Sequence, residues 1–241
     1  MTWHYRVTDG YGWASQYGQE QTDNAQEIWS TLRLAGWTEE ATSAVLGNFQ
    51  AESFINPGQW EIGYNYSMSR GTGLGQWTPA TKVSNIVGSS DRDAMADGAK
   101  QLVLLLNTPG QFSTYYFNPD GSSTYYHESG LPYISSMSEF SQSHATVEEL
   151  TKIWAMCWER PGSSYYTSSK GRRIEYASHW YAEFTGQVPV QPPNPEPVPQ
   201  PTPPPTPVPP IIPTPQIPPT VEEVEAIISI FLAKRRKKKR Y

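Results

Sequence analysis

Residues 38–57, TEEATSAVLGNFQAESFINP, decide the fold and pose a chemical question. Ala41, Ala44, Val45, Asn48, Phe49 and Glu52 recur at i, i+3, i+4, i+7, i+8 and i+11, one face of an α-helix. Thr38 stands where an N-cap belongs, and Glu39 and Glu40 fill the first turn, where the helix dipole favours negative charge. Asn56-Pro57 supplies the stop. The spacing therefore turns Glu52 inward, beside Val45 and Phe49. A charged, unpaired carboxylate on an apolar face is costly, so it neutralises or finds a partner. Either it keeps its proton, as a general acid near neutral pH must, or it reaches solvent or an arginine from the helix's end.

Outward from this helix, the chain reads as more helices. Asp23 is placed to cap NAQEIWSTLRL (24–34), which Gly36 closes. Thr78-Pro79 opens another helix, with proline at the first helical position. RDAMADGAKQLVLLLN (92–107) reads as a single helix, ending before Pro109-Gly110. Thr146 and Glu149 form a capping box for a helix running to about Glu159, and a last helix spans about 169–184 before Gly186. Residues 57–78 contain five glycines and no sustained period. Strands are placed at STYYFN (113–118) and STYYHES (123–129) within a Ser- and Tyr-rich stretch. The expected fold is mainly α, with long loops.

Composition divides the 241 residues into unequal parts. Residues 189–219 hold 17 of the 23 prolines and cannot build a core; they are expected to form an extended polyproline spacer. The expected organisation is an aromatic-rich arm (1–21), a compact domain (22–186), a Pro-rich linker (187–220) and an amphipathic, polybasic tail (221–241). Residues 1–188 carry 11 Lys+Arg against 19 Asp+Glu, a net charge of −8, while KRRKKKR (234–240) holds seven consecutive positive charges. The acidic domain would repel phosphates, which argues against a nucleic-acid enzyme. The lone Cys157 excludes an internal disulfide and a cysteine-based zinc site, and core packing is expected for it. No signal-peptide pattern is visible at the N-terminus, and AIISIFLA (226–233) is far shorter than the ~20 apolar residues of a membrane span.

Two further motifs carry chemistry. GTGLGQWTP (71–79) places three glycines in five residues, which lets backbone approach a ligand closely. Gln76 offers both a donor and an acceptor to an acetamido or hydroxyl group, and Trp77 offers a flat face to a sugar. No Lys-Ser/Thr follows the glycines, so this is not a phosphate loop. WERPG (158–162) puts Glu159 and Arg160 at the end of an otherwise apolar helix, where a pair could brace a site or simply be solvated.

GNFQAESFINP, GTGLGQW and WERPG, in this order and at these separations, resemble the phage tail lysozyme domain of the lysozyme-like superfamily, over roughly residues 22–185. The resemblance implies a mainly helical (α+β lysozyme-like), two-lobed domain with a central substrate groove. It also implies cleavage of the β-1,4 bond between N-acetylmuramic acid and N-acetylglucosamine in peptidoglycan. On this chain Glu52 matches the catalytic acid, Gly73-Leu74-Gly75-Gln76 the groove floor and Glu159-Arg160-Pro161 the late motif. Trp60, Tyr64, Tyr66 and Trp77 cluster around these motifs, and Trp60, Tyr64, Trp77 and Thr78 are expected to line the substrate. Glu61 is the nearest candidate for a second carboxylate, ahead of Asp91, Asp93 and Asp97 at a polar helix start. Without one, a transglycosylase route on Glu52 alone is the alternative.

The four histidines have no HxxxH or HxH spacing, so no metal or other cofactor is expected. The apolar residues Val221, Val224, Ile227, Ile228, Phe231 and Leu232 fall at helical spacing. Such a tail could dock on a phage tail protein, or its basic end could sit on anionic wall polymer or lipid. The family's usual residence places the chain in a virion tail acting at the bacterial wall. A free endolysin and an inactive, glycan-binding virion component are the rival readings.

Overall fold

A computed structural model of the chain describes residues 3–10, 16–115, 117 and 125–187. The Pro-rich linker beyond residue 187 and the tail 221–241 lie outside the described residues. The described part is mainly helical: α1 (Gln19–Leu34), α2 (Glu39–Ser53), α3 (Thr81–Val87), α4 (Arg92–Met95), α5 (Gly98–Asn107), α6 (Met137–Ser141), α7 (Val147–Trp154) and α8 (Ser163–Thr185). A π-helical turn, Ala155–Glu159, extends α7. Among the described residues β-structure is limited to isolated bridges, among them Thr8 with Gln59, Trp60 with Thr72, and Thr72 with Trp77. The two expected strands lie partly outside the described residues, and their described parts, 113–115, 117 and 125–129, form none.

Local signals account for most helix starts. The Thr38 hydroxyl accepts from the Ala41 N–H at 3.2 Å, and Thr146 with Glu149 completes the capping box. Helix α1 begins before Asp23, whose carboxylate instead accepts from Gln19 and pairs with His4. The run 92–107 is two helices, because Asp91 caps the first and Asp97 the second, each accepting from a backbone N–H at 3.0 Å. Those two carboxylates are therefore structural caps. Helix α3 starts at Thr81, just beyond the predicted opening.

Helix α2 is the axis of the domain, packed between α8, α7 and α1. All six positions of its stripe except Glu52 are buried. Its Gly47 is required by a close helix crossing: a Cβ there would lie 2.6 Å from the backbone of Arg173 and Ala177 on α8. That crossing sets the register between the two helices, and so fixes which α8 side chain meets Glu52.

Helices α3, α4 and α5 pack on one another as a second group. Gln101 of α5 ties the irregular segment 57–78 to this group. Its buried amide donates to the carbonyls of Pro57 and Met95 and accepts from the Leu74 N–H, each at 2.8 Å. Asn56 anchors the N-terminal arm in turn, accepting from the Arg6 N–H at 3.0 Å and donating to the Arg6 carbonyl at 2.8 Å.

Candidate active site

A cavity of about 640 Å³ lies where the end of α2, the segment 59–78, the start of α3 and the π-helical turn converge. Glu52, Glu61, Gln76, Glu159 and Arg160 all line it. Its position follows from two turns. Helix α2 stops at Phe54 and Ile55, both in the left-handed region (φ 57° and 58°), which swings the chain away just after Glu52. The π-helical turn ends at Arg160, also left-handed (φ 52°), whose N–H donates to the Ala155 carbonyl at 2.8 Å.

Glu52 has an arginine partner that sequence reasoning left unnamed. Oε1 of Glu52 accepts from Nη2 of Arg173 on α8. Arg173 is buried (1 % exposed), and it also donates to Asn48 Oδ1 at 2.8 Å and to Ser169 Oγ at 3.2 Å. The Glu52 side chain keeps 15 % exposure, and its Oε2 has no hydrogen-bond partner among the described residues. The carboxylate is thus clamped through one oxygen and open through the other. Of the alternatives open to an inward glutamate, the structure shows the arginine partner: Arg173 compensates its burial. A signal for Arg173 did exist. Tyr166, Ser169, Arg173, Ala177 and Trp180 form the buried stripe of α8, so an arginine stands on an apolar face there just as Glu52 does on α2.

Glu159 is the second carboxyl whose setting matters. It is partly buried, its Oε1 accepts from the Trp154 indole N–H at 3.2 Å, and its pKa is held well above the usual glutamate range. Burial is the main cause and the charge of Glu52 adds to it, while Arg173, the Trp154 hydrogen bond and Arg160 act in the opposite sense. In the unfolded chain such a carboxyl ionises near about 4.3. Above that pH, and up to its folded value, the native state holds the extra proton, so stability falls as pH rises through this window. Glu159→Gln removes the titration. Relative to wild type, the variant is expected to gain stability in urea unfolding as pH rises above about 4. A difference that does not change with pH would contradict this.

The remaining candidates separate into those at the cavity and those behind it. Glu61 lines it and is anchored, with Oε2 accepting from the Gly71 N–H at 3.0 Å and Oε1 paired with Arg70 at 3.7 Å. Gln76 Nε2 donates to the carbonyls of Gln59 and Gly73, each at 3.2 Å, and its Oε1 accepts from no described residue. Thr78 is exposed at the rim.

Gly73 and Leu74 do not line the cavity. Leu74 is fully buried, and a side chain at Gly73 (φ 80°) would collide with Gln101. Gly75 borders the cavity, yet a Cβ there would meet the Trp158 ring at 2.9 Å and Phe49 at 3.0 Å. Gly73 is therefore set by internal packing and away from the cavity, while Gly71 and Gly75 lie on the cavity wall.

Trp60 and Trp77 line the cavity as expected, but at 2 % and 1 % exposure neither offers a ring face for stacking. Trp77 packs edge-on to Trp158 at 5.9 Å, and Trp60 edge-on to Tyr66 at 5.8 Å. The exposed rings at the cavity are Tyr64, with Arg70 at 3.9 Å from its ring centre, and Tyr165, which the motifs did not single out. Cys157 is buried at 0 % exposure, and burial pushes its thiol up to about 12, as expected of a packed core residue.

Comparison with known proteins agrees with the motifs. A family model described as phage tail lysozyme matches residues 23–184. Among curated proteins, Morphogenesis protein 1 of Bacillus phage B103 is 31% identical over 171 residues, covering 70% of this chain and 41% of the relative. The chain thus spans less than half the length of that relative.

Proposed function

We propose, since the chain belongs to the phage tail lysozyme family, that it is a muramidase in which Glu52 protonates the glycosidic oxygen between N-acetylmuramic acid and N-acetylglucosamine. The observation that carries this reading is the half-clamped carboxyl: Arg173 holds Oε1, and Oε2 remains open beside a cavity large enough for sugar units. The clamp fixes the direction of proton delivery, which general acid catalysis requires. Glu159 supports the same chemistry. It retains a proton to higher pH than an ordinary glutamate, so the Glu52–Glu159 pair carries a transferable proton when Arg173 already balances one negative charge. Glu61, tethered to the Gly71 N–H and Arg70 on the same cavity wall, is the candidate second carboxylate. Tyr64 and Tyr165 supply stacking surfaces at the rim, and Gln76 Oε1 an acceptor for an acetamido N–H.

The raised Glu159 favours one alternative, in which Glu159 donates the proton and Glu52 acts as the carboxylate. The family description and the phage relative support action from a virion during local penetration of the wall. On this reading the Pro-rich segment is the spacer and residues 221–241 the docking element for a tail protein. The full chain is expected to clear a suspension of purified peptidoglycan. An unchanged turbidity, with the chain still cosedimenting with the wall, would instead identify an inactive glycan-binding component.

A further inference from the structure

Two cations line the cavity. One is Lys82, in the first turn of α3, and the other is Arg160, at the end of the π-helical turn. Neither forms an ion pair with any described residue, although Arg6, Arg33, Arg70, Lys152, Lys170 and Arg173 all do. Both line the same cavity, and burial first, and then the charge of Arg160, lowers the Lys82 pKa. Glu52, Glu61 and Glu159 line the same cavity and Arg160 acts on Glu159, but no described carboxylate is within ion-pairing distance of either cation, which leaves both able to hold an anion.

A second cavity of about 600 Å³ begins at the same place, sharing Lys82 and Gln111 with the first. Ile86, Leu104 and Pro109 make its apolar wall, and Asn85 and Asn107 border it. That combination suits a short peptide with small side chains, whose backbone needs amide partners.

We propose that the stem peptide of the bound muramic acid leaves the glycan cavity past Lys82 and Arg160 and lies in the second cavity, with a free carboxylate of the peptide held by the two cations. This rests on the muramidase reading and names the part of the substrate that determines specificity. In peptidoglycan the stem peptide hangs from the muramic acid beside the scissile bond, carries alanine methyl groups and bears free carboxylates. Each of these features has a counterpart among the residues named.

The test compares two substrates for the full chain: peptidoglycan strands bearing stem peptides, and the same strands stripped of peptide by an amidase. Wild type is expected to show a kcat/KM about tenfold higher on peptide-bearing strands, the gain of a charge-assisted contact pair. The double variant Lys82→Met/Arg160→Gln is expected to reduce that ratio to about twofold or less, and Lys82→Glu alone to reduce it at least as far. Lys82 is partly buried and Arg160 exposed, so neither change strikes the core. A wild type that cuts both strands equally, or variants that keep the preference, would overturn the subsite while leaving the muramidase reading standing. A wild type that cuts neither would overturn both.

Discussion

Glu52→Gln is expected to lower lysis of purified cell walls by about a thousandfold or more, within the range that a lost general acid produces. Glutamine preserves the shape of the side chain and can still accept from Arg173 through its amide oxygen, so the clamp survives. What disappears is the capacity of the second oxygen to take up and deliver a proton. Arg173 is then buried without its charge-balancing carboxylate, so the variant is also expected to unfold at a lower urea concentration than wild type. Loss of activity in a variant that is still folded under the assay conditions, checked by circular dichroism, distinguishes a chemical role from a structural one. Comparable loss in Glu159→Gln, with activity retained in Glu52→Gln, would reverse the assignment of the two carboxyls. The variants thus decide between the two readings of the pair.

Arg173→Met is expected to have the largest effect on stability, a loss of about 3–5 kcal/mol, the cost of breaking a buried ion pair by removing one partner. The change leaves Glu52 largely buried without its cation, and it deprives Asn48 Oδ1 of its 2.8 Å bond to the guanidinium. Arg173→Lys should rescue little, because one ammonium cannot reach Asn48, Ser169 and Glu52 with the spread of a guanidinium. Urea unfolding of the two single variants and the Glu52→Gln/Arg173→Met double variant forms a cycle. Its coupling energy should be large, since much of the Arg173→Met penalty is the uncompensated charge on Glu52. Independent, additive effects would show that the pair does not organise the site.

The parts of this account that were legible in the sequence are those whose cause is local. Thr38 and Thr146 announce helix starts because a cap is satisfied within three residues. The inward position of Glu52 follows from helical period alone, and all its companions on the stripe are buried. Asp97 shows how a local signal can be overrun. The apolar run after it suggested one long helix, yet the aspartate caps Lys100 and starts a new one.

Non-local causes were harder to see. Arg173 lies 121 residues from Glu52, and only the crossing at Gly47 brings them together. The three loop glycines suggested an open approach for a ligand because glycine marks a close neighbour without saying which one. At Gly75 that neighbour is Trp158, and at Gly73 it is Gln101. Trp60 and Trp77 do line the cavity, but their rings are nearly fully buried against other aromatics. The exposed stacking surfaces fell to tyrosines, whose hydroxyls tolerate water at a rim.

The central claim is that a proton from the Glu52 site breaks the glycan backbone on the reducing side of muramic acid. Mass spectrometry of purified peptidoglycan digested by the full chain tests it most directly. The expected products are fragments whose new ends are reducing N-acetylmuramic acid, formed by wild type and absent with Glu52→Gln; 1,6-anhydro ends on the same sugar would assign the transglycosylase route. New ends at N-acetylglucosamine, peptide or amide cleavage alone, or the same fragments from Glu52→Gln would contradict the account.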